Sequence, residues 1–171
     1  MLQRRDILAA GVILPIAGAA ESAKYANSTT PLIGAWSLID AMTVQKGGQT
    51  SEWHGLPRPY NGLIVYEPSG MMSVQIASVR KPLPEGGEFK KFPAEQQLSY
   101  LQSYYAYYGR FEFDKLKSIV THLVVSSLDP TEIGVVYHRQ VKLVGDIVTL
   151  TTLPGPTDTT GSHNVLSWRR V

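Results

Sequence analysis

Val135-Val-Tyr-His-Arg-Gln-Val-Lys-Leu-Val144, Gly145-Asp146 and Ile147-Val-Thr-Leu-Thr-Thr152 form the stretch that decides the fold. Two runs rich in β-branched residues flank a two-residue Gly-Asp break, which reads as a β-hairpin. In the first run the odd positions are Val135, Tyr137, Arg139, Val141 and Leu143, and the even ones are Val136, His138, Gln140 and Lys142. Side chains alternate between the faces of a strand, so the odd set, the more apolar one, should point into a core.

The same pattern extends in both directions. Leu32–Ile39 reads as a first strand, followed by a long loop rich in Gly and Pro. Leu63–Tyr66 and Met71–Val79 are joined by the turn Pro68-Ser69-Gly70. Phe111–Asp114 leads into Ile119–Ser126, Asp129-Pro130 marks a turn, and His163–Arg170 closes the chain. That makes about eight strands joined mostly by short turns, the plan of an antiparallel up-and-down β-barrel. A β-sandwich is the structural competitor. Between the third and fourth of these strands the period changes. Leu98, Leu101, Tyr105 and Tyr108 recur at spacings of three and four, which predicts one helix over Pro93–Tyr108 stopped by Gly109, with Leu and Tyr packed on the barrel.

The chain has 171 residues, with 16 Lys+Arg against 14 Asp+Glu and no Cys. One domain is the length prior. The near-neutral balance gives no footprint for nucleic acid. The absence of Cys excludes disulfides, thiolate metal sites and Cys nucleophiles. There is no G-x-S-x-G elbow, phosphate loop or dinucleotide fingerprint. Residues 1–20 pair Arg4-Arg5 with the apolar run Ile7–Ala17 and the small residues Ala17-Gly-Ala-Ala20, the plan of an export signal of twin-arginine type. Residues 21–31 read as a polar tether and 32–171 as the barrel. The expected product is exported to the periplasm or beyond, with no stable membrane span after cleavage.

Six stretches carry a family resemblance: Leu32-Ile-Gly-Ala-Trp36, Gly62–Tyr66 with Pro68-Ser-Gly70, Met72-Ser-Val-Gln75, Tyr107-Tyr-Gly-Arg-Phe111, Val120-Thr-His122 and Leu166-Ser-Trp-Arg-Arg170. In this order they resemble the bacterial and fungal lipocalin-like domain family. The resemblance implies a barrel around a small, mostly apolar cavity and no single activity, since the scaffold serves carriers and a few enzymes. It also implies structural roles: Trp36 plugs the closed end, Arg170 or Arg169 stacks over it, and Gly34 allows close approach. Family members commonly carry His and Glu where this chain has Leu123 and Val125, so a polar cluster is thinned here and the pocket is greasier.

Polar residues on apolar strands are the site candidates. Arg139 on the inward face costs several kcal/mol to bury unless paired. An anionic ligand group or an internal partner such as Tyr137 or Tyr66 offsets that cost, or the side chain snorkels to the rim. His122 interrupts an apolar strand. Pairing symmetric about Pro130 sets it beside His138, on the face away from Arg139, and a one-residue bulge reverses this. On the first hairpin Ile64, Tyr66, Met72, Val74 and Ile76 share a face. The candidate ligand set is therefore Tyr66, Met72, Val74, Tyr105, Tyr108, His122, Tyr137 and Arg139. His122, Arg139 and Tyr66 are the candidates for chemistry, with no metal and no cofactor implied. The function expected first is binding of a small hydrophobic or amphipathic molecule. The alternative is a cofactor-free isomerase, cyclase or dehydratase acting on a ring-bearing metabolite, with His122 as acid–base group and Tyr66 or Arg139 steadying an oxyanion.

Overall fold

The computed structural model describes residues 30–79, 87–155 and 159–171. The signal and most of the tether read from the sequence lie outside these residues. The strands are β1 (Gly34–Val44), β2 (Thr50–Glu52), β3 (Asn61–Tyr66), β4 (Met71–Ala77), β5 (Tyr104–Asp114), β6 (Ile119–Ser127), β7 (Val136–Val144), β8 (Ile147–Thr152) and β9 (His163–Arg170). All pairings are antiparallel, and they run in chain order from β3 to β9. β1 pairs with both β3 and β9 and thereby closes an eight-strand barrel. β2 pairs with the second half of β1, beyond the end of the β1–β3 pairing. Among the described residues, closure leaves no long unpaired edge.

The helix differs from expectation in both extent and place. α1 spans Ala94–Gln102 and lies between β4 and β5, because the short strand β2 adds one to the count. It does not reach Tyr108. Tyr104 to Arg110 pairs with Ala77 to Met71, so a ladder of backbone hydrogen bonds overrides the three–four spacing. Leu98 and Leu101 are exposed, and α1 buries none of its residues. It is a surface connector rather than a plug.

Two bulges set which residues face inward. Leu38 pairs with Trp168 but Asp40 pairs with Ser167, so Ile39 is the extra residue on β1. Trp36 is buried before the bulge and Ala41 after it. On β6, Ser126 pairs with Tyr108 but Val124 pairs with Gly109, which leaves Val125 as the extra residue. Val120, His122 and Val124 therefore face in, and beyond the bulge Ser127 turns inward too. A Cβ on Gly109 would fall 2.0 Å from the Leu123 carbonyl oxygen, so the strands meet there only without a side chain.

At one end the barrel is sealed by aromatic and cationic groups. Trp36 is fully buried and its Nε1 donates to the Leu32 carbonyl at 2.8 Å. The Arg170 guanidinium carbon sits 4.0 Å from the Trp36 ring centroid. Arg170 also donates to the carbonyls of Ile33 and Pro31 at 2.9 and 2.7 Å. Gly34 has φ of 124°, and a Cβ there would come within 3.1 Å of Arg170 Nη1.

Candidate functional site

The interior narrows to a cavity of about 30 Å³, bordered by Trp53, Tyr105, Tyr107, Arg139, Asn164 and Trp168 over a floor of aliphatic side chains from β3, β4, β8 and β9. The barrel is thus filled largely by its own side chains, where the resemblance implied a ready hollow. A second recess of about 900 Å³ opens to solvent at the rim between β7, β8 and β9, and Asn164 borders both spaces.

Of the residues selected from the sequence, Val74, Tyr105 and Arg139 border the cavity. Tyr66, Met72 and His122 are buried behind it, and Tyr137 borders the rim recess. Tyr108 is a correction: it is 47% exposed, because on a strand it alternates outward between the inward pair Tyr107 and Gly109. The pairing of His122 with His138 is a second correction. His122 pairs with Tyr137, and His138 pairs with Thr121, one residue away from the symmetric register. His122, Tyr137 and Arg139 consequently share the inward face, while His138 is exposed and bonds Thr121 Oγ1 at 3.0 Å.

His122 is clamped between two phenols. Its Nε2 lies 2.9 Å from Tyr66 Oη and its Nδ1 2.7 Å from Tyr107 Oη. Burial, aided by the nearby Arg139 charge, pushes the imidazole well below its ordinary pKa, so it is neutral. A neutral ring has one donor and one acceptor nitrogen. Tyr66 is fully buried, and among the described residues its hydroxyl has only His122 as a polar partner. Proton accounting therefore assigns Tyr66 as donor to Nε2 and the Nδ1–H as donor to Tyr107. Arg139 Nη2 also donates to Tyr107 Oη, at 3.3 Å. Burial holds the Tyr107 pKa up even against Arg139, so the phenol keeps its proton. With two donors on its oxygen, Tyr107 is left with a polarised O–H on a ring that borders the cavity.

A second polar cluster caps the first. Glu132, in the turn between β6 and β7, accepts from Tyr105 at 3.0 Å, Tyr137 at 2.9 Å and Ser127 at 2.7 Å. Three hydroxyls thus donate to the Glu132 carboxylate, two to Oε1 and one to Oε2. Among the described residues Arg139 forms no ion pair; besides Tyr107 it has the Tyr137 ring, 5.2 Å from its guanidinium carbon. Burial raises the pKa of Tyr105 and Tyr137, so both remain neutral donors.

The mouth is stoppered by a segment that reads from sequence only as Gly- and Pro-rich loop. Trp53 is buried edge-on against Tyr105 and Tyr60, with centroids 5.2 and 6.2 Å apart. His54 stacks on Tyr105 at 5.6 Å and meets Trp53 edge-on at 4.4 Å. Its φ of 49° is a left-handed conformation uncommon outside glycine. Trp53, His54, Tyr107, Asn164, Trp168 and Glu132 are all site residues that sequence reasoning missed. Strand alternation could have found Tyr107 and Trp168, whereas the loop residues carry no periodic signal.

The model of the lipocalin-like domain family matches residues 33–171. The chain belongs to the lipocalin-like domain family. The chain is 32% identical over 107 residues to the 4′-hydroxy-3′-methoxypropiophenone carrier protein ppsC of Aspergillus oryzae, covering 58% of this chain and 96% of that protein. A crystal structure of a mutant of the fluorescent protein UnaG aligns with 81% of this chain and 95% of its own at 13% identity, with a TM-score of 0.34.

Proposed function

We propose that this lipocalin-like barrel is a carrier for a small, ring-bearing amphipathic molecule of the hydroxyaryl ketone type, held in the barrel interior. The observation that carries the reading is Arg139, a cation inside the barrel that forms no ion pair among the described residues and one hydrogen bond, to Tyr107. A cation kept in such a place costs several kcal/mol, offset within the fold by one long hydrogen bond and one ring contact, which suits a polar anchor for a guest. The similarity to a protein named as a propiophenone carrier points to the same class. Apolar walls supply affinity at roughly 25 cal/mol per Å² removed from water.

A ring does not enter a space of about 30 Å³, so binding is an exchange. Trp53 leaves the mouth and the guest's ring takes its apolar slot, which makes the net change in buried area small. The left-handed His54 and the three-residue turn around it favour that release. The test is titration with the neutral dye Nile red and with a panel of small aryl ketones, read by dye emission, Trp emission and melting temperature. Dye enhancement, displacement by ketones and a red-shifted Trp signal support the carrier. No response to any member of the panel refutes it.

Export belongs to the same proposal. Residues 1–20 supply the paired Arg, the apolar run and the small-residue site of a twin-arginine signal. Replacing Arg4 and Arg5 by Lys should trap the protein inside the cell, as read by fractionation. A second reading, cofactor-free acid–base catalysis as in an isomerase, cyclase or dehydratase, is favoured by the Tyr66–His122–Tyr107 chain. In it Tyr107 touches substrate and His122 relays. His122→Gln should then abolish turnover while sparing affinity.

A further inference from the structure

We infer that the interior site takes its guest as an anion, with a phenolate or carboxylate oxygen received by Arg139 and the Tyr107 hydroxyl. This rests on the carrier reading and deepens it. The argument is one of unfilled donors. A guanidinium has five N–H groups, and among the described residues Arg139 places one hydrogen bond, on Tyr107. The groups facing it from neighbouring elements are Tyr66 on β3, Tyr105 and Tyr107 on β5, His122 on β6, Glu132 in the β6–β7 turn, Tyr137 on β7 and His54 at the mouth. The three facing β5 and β7 phenols are neutral, Tyr66 is bonded to His122, and His122 is itself uncharged. His54 is also pushed down from its ordinary pKa, by burial first. Glu132 is the one anion, and its oxygens already receive Tyr105, Tyr137 and Ser127. The pocket therefore presents a cation and a polarised O–H with no internal counter-charge in contact.

Such a pair discriminates between protonation states of a guest. A phenol brings its own proton to a wall that already offers two donors, and one of the three then lacks an acceptor. A phenolate accepts both, and charge-assisted bonds are roughly twice as strong as neutral ones. A second unfilled donor points the same way about the guest's other end. Trp168 is 1% exposed, its ring borders the cavity, and its Nε1 is the buried side-chain nitrogen without a partner among the described residues. A guest with a further acceptor, such as a ketone oxygen, suits it.

The experiment uses two probes of nearly equal size on the full chain. 4-Hydroxyacetophenone ionises, and its phenolate absorbs at longer wavelength than its phenol; 4-methoxyacetophenone cannot ionise. The bound hydroxy compound should show phenolate absorbance at a pH where the free compound is mostly protonated, an apparent ionisation shift of about tenfold or more. The methoxy compound should bind about tenfold more weakly. Arg139→Gln should remove both differences between the two probes. A bound hydroxy probe with the neutral phenol spectrum, or equal affinities for the two probes, overturns the inference while the carrier reading stands. Failure of both ketones and of Nile red to bind overturns the carrier reading and the inference with it. The comparison of probes needs no variant, so misfolding of Arg139→Gln would not disturb it.

Discussion

Replacing Arg139 by Met should make the empty protein more stable. The side chains are of similar length, and the substitution removes the cation from the interior. Three contributions decide the sign. The hydrogen bond to Tyr107 is long at 3.3 Å, so its loss costs about 1.5 kcal/mol, the low end for a charged donor. The contact with the Tyr137 ring at 5.2 Å contributes about 0.5–1 kcal/mol. Against these stands the relief of desolvation, which is several kcal/mol for a buried ion and is taken at its lower end here because Arg139 is only half-buried. No new orphan arises, because Tyr107 keeps His122 at 2.7 Å. Taken at about 3 kcal/mol, that relief leaves a net gain of about 0.5–1 kcal/mol, or roughly 1–4 °C in melting temperature for a domain of this size. Calorimetry, with a urea titration showing an unchanged slope, measures it. The same variant should lose stabilisation by 4-hydroxyacetophenone. A loss of 1 kcal/mol or more in the empty protein would show that Arg139 is retained for folding, and would remove the main support for a ligand role.

Trp36→Ala should cost about 3–5 kcal/mol by urea denaturation, since the ring is fully buried under Arg170 and its N–H is satisfied. Trp53→Ala should destabilise the empty protein by about 3 kcal/mol yet tighten binding of Nile red, because the guest no longer competes with the indole; weaker dye binding would contradict the exchange. Gly109→Ala should prevent folding or displace β6, as seen by far-UV circular dichroism, given the 2.0 Å approach to the Leu123 carbonyl. The pH dependence follows from His122, whose folded pKa is depressed, so the folded state binds fewer protons than the unfolded chain. Stability should be flat above pH ~6.5 and fall by up to about 1.4 kcal/mol per unit below it, and His122→Gln should flatten that slope in urea titrations at pH 5–6.5. His54 adds in the same direction, while Asp114 and Asp129 titrate below this window, their pKa values being lowered by turn hydrogen bonds.

The barrel was legible because its strands carry strong local signals. The turns Pro68-Ser69-Gly70 and Gly145-Asp146 each close a hairpin whose register follows from the turn itself. β2 was invisible for the converse reason: Thr50, Ser51 and Glu52 are all exposed and have no apolar alternation to report. The overextended helix shows a competition between two periods. Tyr105 and Tyr107 alternate inward as a strand requires, but the neighbouring Tyr104 and Tyr108 blur that signal, and pairing with β4 settles it through backbone bonds that no side-chain pattern records.

The site was legible where a burial cost flagged a residue and illegible where parity depended on a bulge. Tyr66, His122 and Arg139 stand out as polar groups on apolar strands, and the structure links all three through Tyr107. Placing His122 on the same face as Arg139 required a register that the β6–β7 turn sets one residue from symmetric. The bulge at Val125 then brings Ser127 inward, where its hydroxyl donates to Glu132 beside Tyr105 and Tyr137. That connection runs from backbone geometry to charge balance and leaves no local trace. The stopper follows the same logic. A closed barrel gains stability by filling itself, and Trp53 does so from a loop, where its removal breaks no strand pairing. A cavity held open at all times would forfeit that packing; a ring that steps aside keeps it until a guest's ring replaces it. On the proposed carrier reading, binding capacity in this barrel is written less in its empty volume than in the difference between two occupants of one slot, an indole tied to a short turn and an aromatic anion tied to Arg139.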